Sequence, residues 1–241
     1  MSFKNDLPNI SILTPTYNRS KFLPLFIDNL KKQTYPHNKL EVCIYDDGTE
    51  PFTDNIAGLQ IDIHPIKLVY HRDKVRKTIG EKRNYLCKKL SRNKIMCFMD
   101  DDDIYTPVYI EYSYDMLKKN KAGLVGSNSM LFTYPFQDYK MTAIKCKHKV
   151  QIHENTMLFT RKYFGSMGGF EKSSQGEGAR FIQNRDKDVF ITDIFNVLIN
   201  VGHGTNTIDK ETFNREDLKI EGWETYTGPE RLILNKILDI K

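Results

Sequence analysis

The chain has 241 residues, enough for one large α/β domain with a full core. Hydrophobic residues make up 39% and charged residues 28%, and 36 Lys and Arg against 31 Asp and Glu leave a net charge of +5. That mild, dispersed balance gives nucleic-acid binding no support, and no apolar run approaches the roughly 18–20 residues that cross a bilayer.

The opening residues Met1 to Asp6 lack the apolar stretch of a secretory signal, which predicts a soluble protein kept in the cytosol. Cys43, Cys87, Cys97 and Cys146 form no Cys-x-x-Cys pair and are expected to be reduced and structural.

Taken in order, Ile10 to Leu13 reads as a buried strand that ends at Thr14-Pro15-Thr16. A helix pattern follows from about Lys21 to Gln33, with Phe22, Leu25, Phe26 and Leu30 on one face. Leu40 to Tyr45 is a second strand closed by Asp46-Asp47-Gly48, and Ile66 to Tyr70 is a third. Gly80 to Leu90 reads as a helix, and Ile95 to Met99 as a fourth strand running into Asp100-Asp101-Asp102-Asp103.

The second half is less regular. Strands are expected at Leu124 to Gly126, Thr156 to Phe159 and Asn196 to Val201, with a short helix from Pro229 to about Leu238. Strands alternating with helices predict an α/β fold of Rossmann-like kind, a mostly parallel sheet flanked by helices. Ligands bind such sheets beyond the carboxyl ends of the strands, where three polar clusters fall here: Thr14 to Arg19, Asp46-Asp47 and Asp100 to Asp103.

Four adjacent aspartates repel one another and raise one another's pKa unless a cation joins them. One or two could cap a helix, but four exceed that need, so Mn²⁺ or Mg²⁺ is expected on part of the cluster. The densest basic stretch, His71 to Arg83, contains Arg72, Lys74, Arg76, Lys77 and Lys82 and reads equally as a solvated face or a partner for phosphate. His37, His64, His71, His148 and His153 show no ligand-like spacing. Trp223 could stack on a sugar ring, though a single tryptophan is more often packing.

The ordered set of motifs resembles the family 2 type of GT-A glycosyltransferases. It comprises Ile12-Leu13-Thr14-Pro15-Thr16-Tyr17-Asn18-Arg19, Ile44-Tyr45-Asp46-Asp47-Gly48, Gly80-Glu81-Lys82-Arg83-Asn84, Phe98-Met99-Asp100-Asp101-Asp102-Asp103-Ile104 and Gly168-Gly169-Phe170-Glu171. The resemblance implies a single GT-A domain over residues 1–241. Residues 1–105 would form the nucleotide-sugar half, and residues 106–241 an acceptor-side half with a smaller sheet.

It further implies a UDP-sugar donor whose uracil and ribose are held by Thr14, Tyr17 and Asp47, with Arg83 nearby. Asp100 would meet the ribose or sugar, Asp102 would bind the metal bridging the diphosphate, and Arg19 is read as structural. The acceptor would be a hydroxyl of a glycan, a protein or a lipid-linked molecule, and attack with inversion needs a carboxylate to take its proton.

Here the chain departs from the pattern. Gly178 stands where relatives commonly carry an aspartate, and Glu177 is the nearest carboxylate and the expected base, with Glu171 as an alternative. Val201-Gly202-His203-Gly204-Thr205-Asn206-Thr207 is similar to a segment of GT-A enzymes that includes sugar transferases of large viruses. That likeness implies that His203 completes the metal site or touches the diphosphate and, for a viral chain, a place in the host cytoplasm or the virion.

Two other readings compete with an active transferase. One is a GT-A-like protein that binds a nucleotide-sugar or glycan without turnover, favoured by Gly178. The other is a nucleotidyltransferase, disfavoured because Thr14 to Arg19 stands where a glycine-rich phosphate loop belongs.

Overall fold

A computed structural model describes residues 7–147, 151–183, 187–206 and 208–240. His148, Lys149 and Thr207 lie outside them.

The strands are β1 (Ile10–Thr16), β2 (Leu40–Asp46), β3 (Lys67–Arg72), β4 (Ile95–Phe98), β5 (Ile104–Tyr105), β6 (Leu124–Gly126), β7 (Ser129–Tyr134), β8 (Lys140–Lys145), β9 (Leu158–Thr160), β10 (Val189–Ile191) and β11 (Leu198–Val201). The helices are α1 (Leu23–Lys31), α2 (Ile56–Asp62), α3 (Ile79–Tyr85), α4 (Tyr109–Lys119), α5 (Arg161–Met167), α6 (Ala179–Ile182) and α7 (Glu230–Ile237).

A seven-stranded sheet runs in the order β10-β6-β9-β4-β1-β2-β3. All neighbours in it are parallel except β9, which lies antiparallel to both β4 and β6. The central strands are apolar along their whole length, with Ile10, Ile12, Leu13, Val42, Cys43, Ile44, Cys97 and Phe98 all fully buried. Strands covered on both faces need this near-continuous apolar character. A second sheet of four strands, β5-β11-β7-β8, packs beside it. The fold is therefore α/β with a large, mostly parallel sheet and a smaller second one.

Register is what builds the site. Thr16 pairs with Asp46, Asp46 with Arg72, and Leu13 with Phe98, so the carboxyl ends of β1, β2 and β4 reach one edge together. The turn after β4 is then fixed by side chains. Asn29 of α1 donates to the Asp103 carbonyl at 2.8 Å and accepts from the Tyr105 amide at 2.9 Å, while the Tyr105 hydroxyl accepts from the Asp100 amide at 2.9 Å.

Several boundaries differ from the sequence expectation. The strand expected from Thr156 begins at Leu158, because the Thr156 hydroxyl donates to the His153 carbonyl and accepts from the Ser127 amide, closing a turn ahead of it. Among the described residues all four cysteines are free, as expected. No helix of the described residues is long and apolar enough to cross a membrane.

Candidate active site

A cleft of about 390 Å³ opens along the carboxyl edge, lined by the loop after β1, the N-terminal part of α3 and Asp100 to Asp102. A second, more apolar cavity of about 290 Å³ adjoins it and shares Arg83, Asp100, Asp102 and Asn206. The shared residues make the two one continuous groove.

The first cleft is rich in cations. Arg76, Lys77, Lys82 and Arg83 all face it, so that part of the basic stretch is a cleft wall. Arg72 instead locks the β2 loop, donating to Asp46 Oδ2 at 2.7 Å and to the Gly48 carbonyl at 2.8 Å. The Arg76 guanidinium lies 4.0 Å over the Tyr17 ring, a cation–π pair at the rim. Lys82 Nζ donates to Asp47 Oδ1 at 2.7 Å and to the Thr16 carbonyl at 3.0 Å. Burial lowers the Lys82 pKa, with Asp47 opposing.

The residues expected to grip the nucleotide divide accordingly. Tyr17, Arg83 and Asp100 line the cleft. Thr14 does not; it is fully buried and its hydroxyl donates to the Met99 carbonyl at 2.8 Å, tying β1 to the aspartate turn. Asp47 lines neither cavity; its second oxygen accepts from the Lys77 amide at 2.7 Å, so it positions Lys82. Arg19, read as structural, lines the cleft: its Nε is 3.3 Å from Asp102 Oδ2 and its Nη2 donates to the Thr205 carbonyl.

The four aspartates have separate fates. Asp103 is consumed by the fold, accepting from the Val201 amide at 2.9 Å, from Lys210 Nζ at 2.8 Å and from Asn155 Nδ2 at 3.2 Å. Asp100 Oδ1 and Asp101 Oδ2 are buried with no hydrogen-bond partner among the described residues. Burial pushes the Asp100 carboxyl up to about 7, against Arg83 and with the help of Asp103 and Asp102. Burial and then Asp102 push Asp101 well above the usual carboxylate range. Burial acts upward on Asp102 too, but the His203 contact and the Lys210 and Arg19 charges outweigh it and hold that carboxyl well below the usual range.

His203 meets Asp102 from the loop after β11, with Nε2 2.9 Å from Asp102 Oδ2 and Nδ1 2.9 Å from Thr205 Oγ1. Its ring packs on Phe22 with centroids 4.4 Å apart. Asn206 is locked by the backbone, accepting from the His203 amide and donating to the Val201 carbonyl, each at 3.0 Å, and its Nδ2 also lies 2.8 Å from Nε2. Nε2 thus faces a fixed amide donor and a carboxylate at once. A proton on Nε2 satisfies Asp102 and opposes Asn206. Without it Asn206 is satisfied, and two lone pairs face each other across 2.9 Å, an arrangement that a cation relieves.

Among the described residues no three His, Cys, Asp or Glu side chains form a complete metal cage. The donor set suits an ion that keeps most of its shell for phosphate and water, as Mg²⁺ and Mn²⁺ sites do.

On the acceptor side, Glu177 Oε1 lies 3.2 Å from Arg83 Nη1, and both side chains are buried. Arg83 also sits 4.4 Å over the Phe98 ring. Glu171 is exposed and lines neither cavity. Trp223 packs edge-on against Phe195 with centroids 4.9 Å apart, outside both cavities. Sequence reasoning missed His153 and Glu154, which line the second cavity from an irregular segment without any motif to mark it.

A mostly parallel sheet ending in an acidic metal-capable turn, beside a cation-lined cleft, defines the GT-A class of glycosyltransferase. The sequence model of glycosyl transferase family 2 matches residues 11–175, and the chain belongs to that family.

An uncharacterized glycosyltransferase of Rickettsia typhi is 28% identical over 182 residues, 69% of this chain and 54% of its own length. Glycosyltransferase AglE of Haloferax volcanii is 26% identical over 129 residues, 54% of this chain and 41% of its own. The chain thus spans about half the length of these curated relatives. Among solved structures, mannosyltransferase PcManGT from Pyrobaculum calidifontis, in complex with GDP-Man and Mn²⁺, superposes with a TM-score of 0.64 at 18% identity, covering 84% of this chain and 59% of that one. S. aureus TarS 1–349 in complex with UDP-GlcNAc gives 0.64 at 13% identity, covering 95% and 65%.

Proposed function

We propose that the chain transfers a sugar from a UDP-sugar to a hydroxyl acceptor, with a divalent ion and with inversion at the anomeric carbon. The observation that carries this reading is the pairing of Asp102 with His203 directly beside Arg76, Lys77, Lys82 and Arg83. Carboxylates alone would repel a diphosphate, and cations alone would not account for the buried, unpartnered oxygens of Asp100 and Asp101.

In this reading the diphosphate lies along Lys82 and Arg76, and the base stacks at the Tyr17 rim. Asp100, facing both cavities, meets the sugar or ribose. Asp102 and His203 would hold Mn²⁺ or Mg²⁺, which supplies Lewis-acid stabilisation of the charge growing on the leaving diphosphate. The second cavity receives the acceptor, a glycan, protein or lipid-linked hydroxyl. Its walls include Met130, Phe132, Ile144 and Phe213, so the acceptor presents an apolar face there.

Calorimetric titration with UDP and GDP, each with and without Mn²⁺, tests the donor side. UDP binding at least tenfold tighter with Mn²⁺, and tighter than GDP, is the expected outcome. Equal affinity for the two nucleotides would overturn the choice of UDP, and indifference to Mn²⁺ would overturn the metal.

A further inference from the structure

Transfer with inversion requires a base on the acceptor side that is free to take a proton, a carboxylate or an imidazole among the groups lining this cavity. Of the carboxylates facing the second cavity, Asp102 is engaged by Arg19 and His203, and Asp103 by Val201, Lys210 and Asn155. Asp100 belongs to the wall common to both cavities. Glu177 is buried against the Arg83 guanidinium at 3.2 Å. His153 lines the same cavity, but its Nε2 faces Cys146 Sγ at 3.4 Å. Glu154 remains. It lines only the second cavity, one oxygen accepting from the Gly178 amide at 2.9 Å and the other without a hydrogen bond among the described residues.

The space around Gly178 gives this a second support. A Cβ built there would lie 2.5 Å from Glu154 Oε1, 2.6 Å from its Cγ and 2.9 Å from its Cδ. The Glu154 carboxylate therefore fills the volume that any side chain at 178 would enter, and Gly178 is the residue that admits it. A carboxylate expected at the start of α6 is delivered instead from the turn ahead of β9.

We infer that Glu154 is the catalytic base, occupying in space the place left vacant by Gly178, while Glu177 positions Arg83. The assignment rests on the transferase reading above. In the step, the free Glu154 oxygen takes the proton of the acceptor hydroxyl as the hydroxyl's own oxygen bonds to the anomeric carbon. The bond from that carbon to the β-phosphate oxygen breaks, and UDP leaves with the electron pair.

The test uses water as acceptor and UDP release as the signal, with Mn²⁺ and a panel of UDP-sugars, beside calorimetric UDP binding for each variant. Glu154→Gln keeps an acceptor for the Gly178 amide and is expected to bind UDP as the wild type does while releasing it about 100-fold more slowly or worse. Glu154→Ala should lose the same activity, and the double variant Glu154→Ala with Gly178→Asp should regain at least tenfold, because the carboxylate returns to the same volume from the other chain segment. A merely structural Glu154 predicts no such recovery.

Release by Glu154→Gln within threefold of wild type would overturn the assignment, as would failure of the double variant to recover while still binding UDP. A wild-type protein that binds UDP with Mn²⁺ yet releases none from any donor would remove turnover, and this base with it. Absence of UDP binding would instead strike the donor reading itself.

Discussion

Asp100 shows what a buried carboxyl on the groove wall costs in stability. Its carboxyl stands near 7 in the folded chain because burial and the neighbouring aspartates oppose ionisation. An unfolded chain titrates near 3.9 there, so across the interval from about 4 to about 7 the folded state holds the extra proton. Stability from this group is therefore present at low pH and is lost as pH rises through that interval. Asp100→Asn removes the titration. Urea unfolding of the metal-free protein should show the variant more stable than wild type by on the order of 2 kcal/mol at pH 8 and little different at pH 4. An equal effect at both pH values would contradict this.

At the same scale, the sequence marks which residues are polar and adjacent but not how each is spent. Asp102 and Asp103 are neighbours of identical type, yet one faces the cleft and the other pins β11 through Val201 and Lys210. Thr14 and Asp47 belong to the right motifs and still turn inward, where their partners Met99 and Lys82 come from distant segments. Such partners are invisible to a local pattern.

Among elements, the packing of α3 on the segment 168–178 decides where Arg83 stands. Gly80 donates its amide to the Ser173 carbonyl at 2.9 Å, and Asn84 brackets Phe170 with two hydrogen bonds, 2.8 Å to its carbonyl and 2.9 Å from its amide. The two motifs read separately in the sequence thus form one contact. A Cβ at Gly80 would fall 1.7 Å from the Glu171 carbonyl oxygen, a backbone atom that cannot swing aside. Gly80→Ala should cost roughly 1–3 kcal/mol in urea unfolding and weaken UDP binding by moving Arg83. Unchanged stability would contradict the packing described.

The legible elements were those with strong periodicity or continuous apolar character: β1, β2, β3, β4, β6, β9, β11, the helices α1 and α3 and the C-terminal helix α7, some with shifted ends. The β7–β8 hairpin was not, because its connection uses Asp138 and Tyr139 at φ of 48° and 59° where a turn signal would show glycine. Helix α2 was missed because Leu59 is its only buried residue, which leaves no apolar stripe to read. Helix α4 buries Tyr109, Ser113 and Tyr114 beside Ile110 and Leu117, a face too polar in composition to register as a core stripe.

At the scale of the whole molecule, the groove is assembled from segments nearly two hundred positions apart. Arg19 from the first strand's loop holds the loop of Thr205, and the same loop returns His203 to Asp102. The acidic turn and the cation-lined cleft are therefore one electrostatic unit, in which removing the Asp102 carboxylate leaves Arg19 without its counter-charge and, on the proposed reading, the divalent ion without its anchor. The central claim, metal-dependent turnover of a UDP-sugar, is tested most directly by UDP release from a donor panel with and without Mn²⁺, comparing wild type with Asp102→Ala. Release that requires Mn²⁺ and falls at least 100-fold in Asp102→Ala is the predicted result. Release of equal rate without metal, or undiminished in the variant, would contradict it.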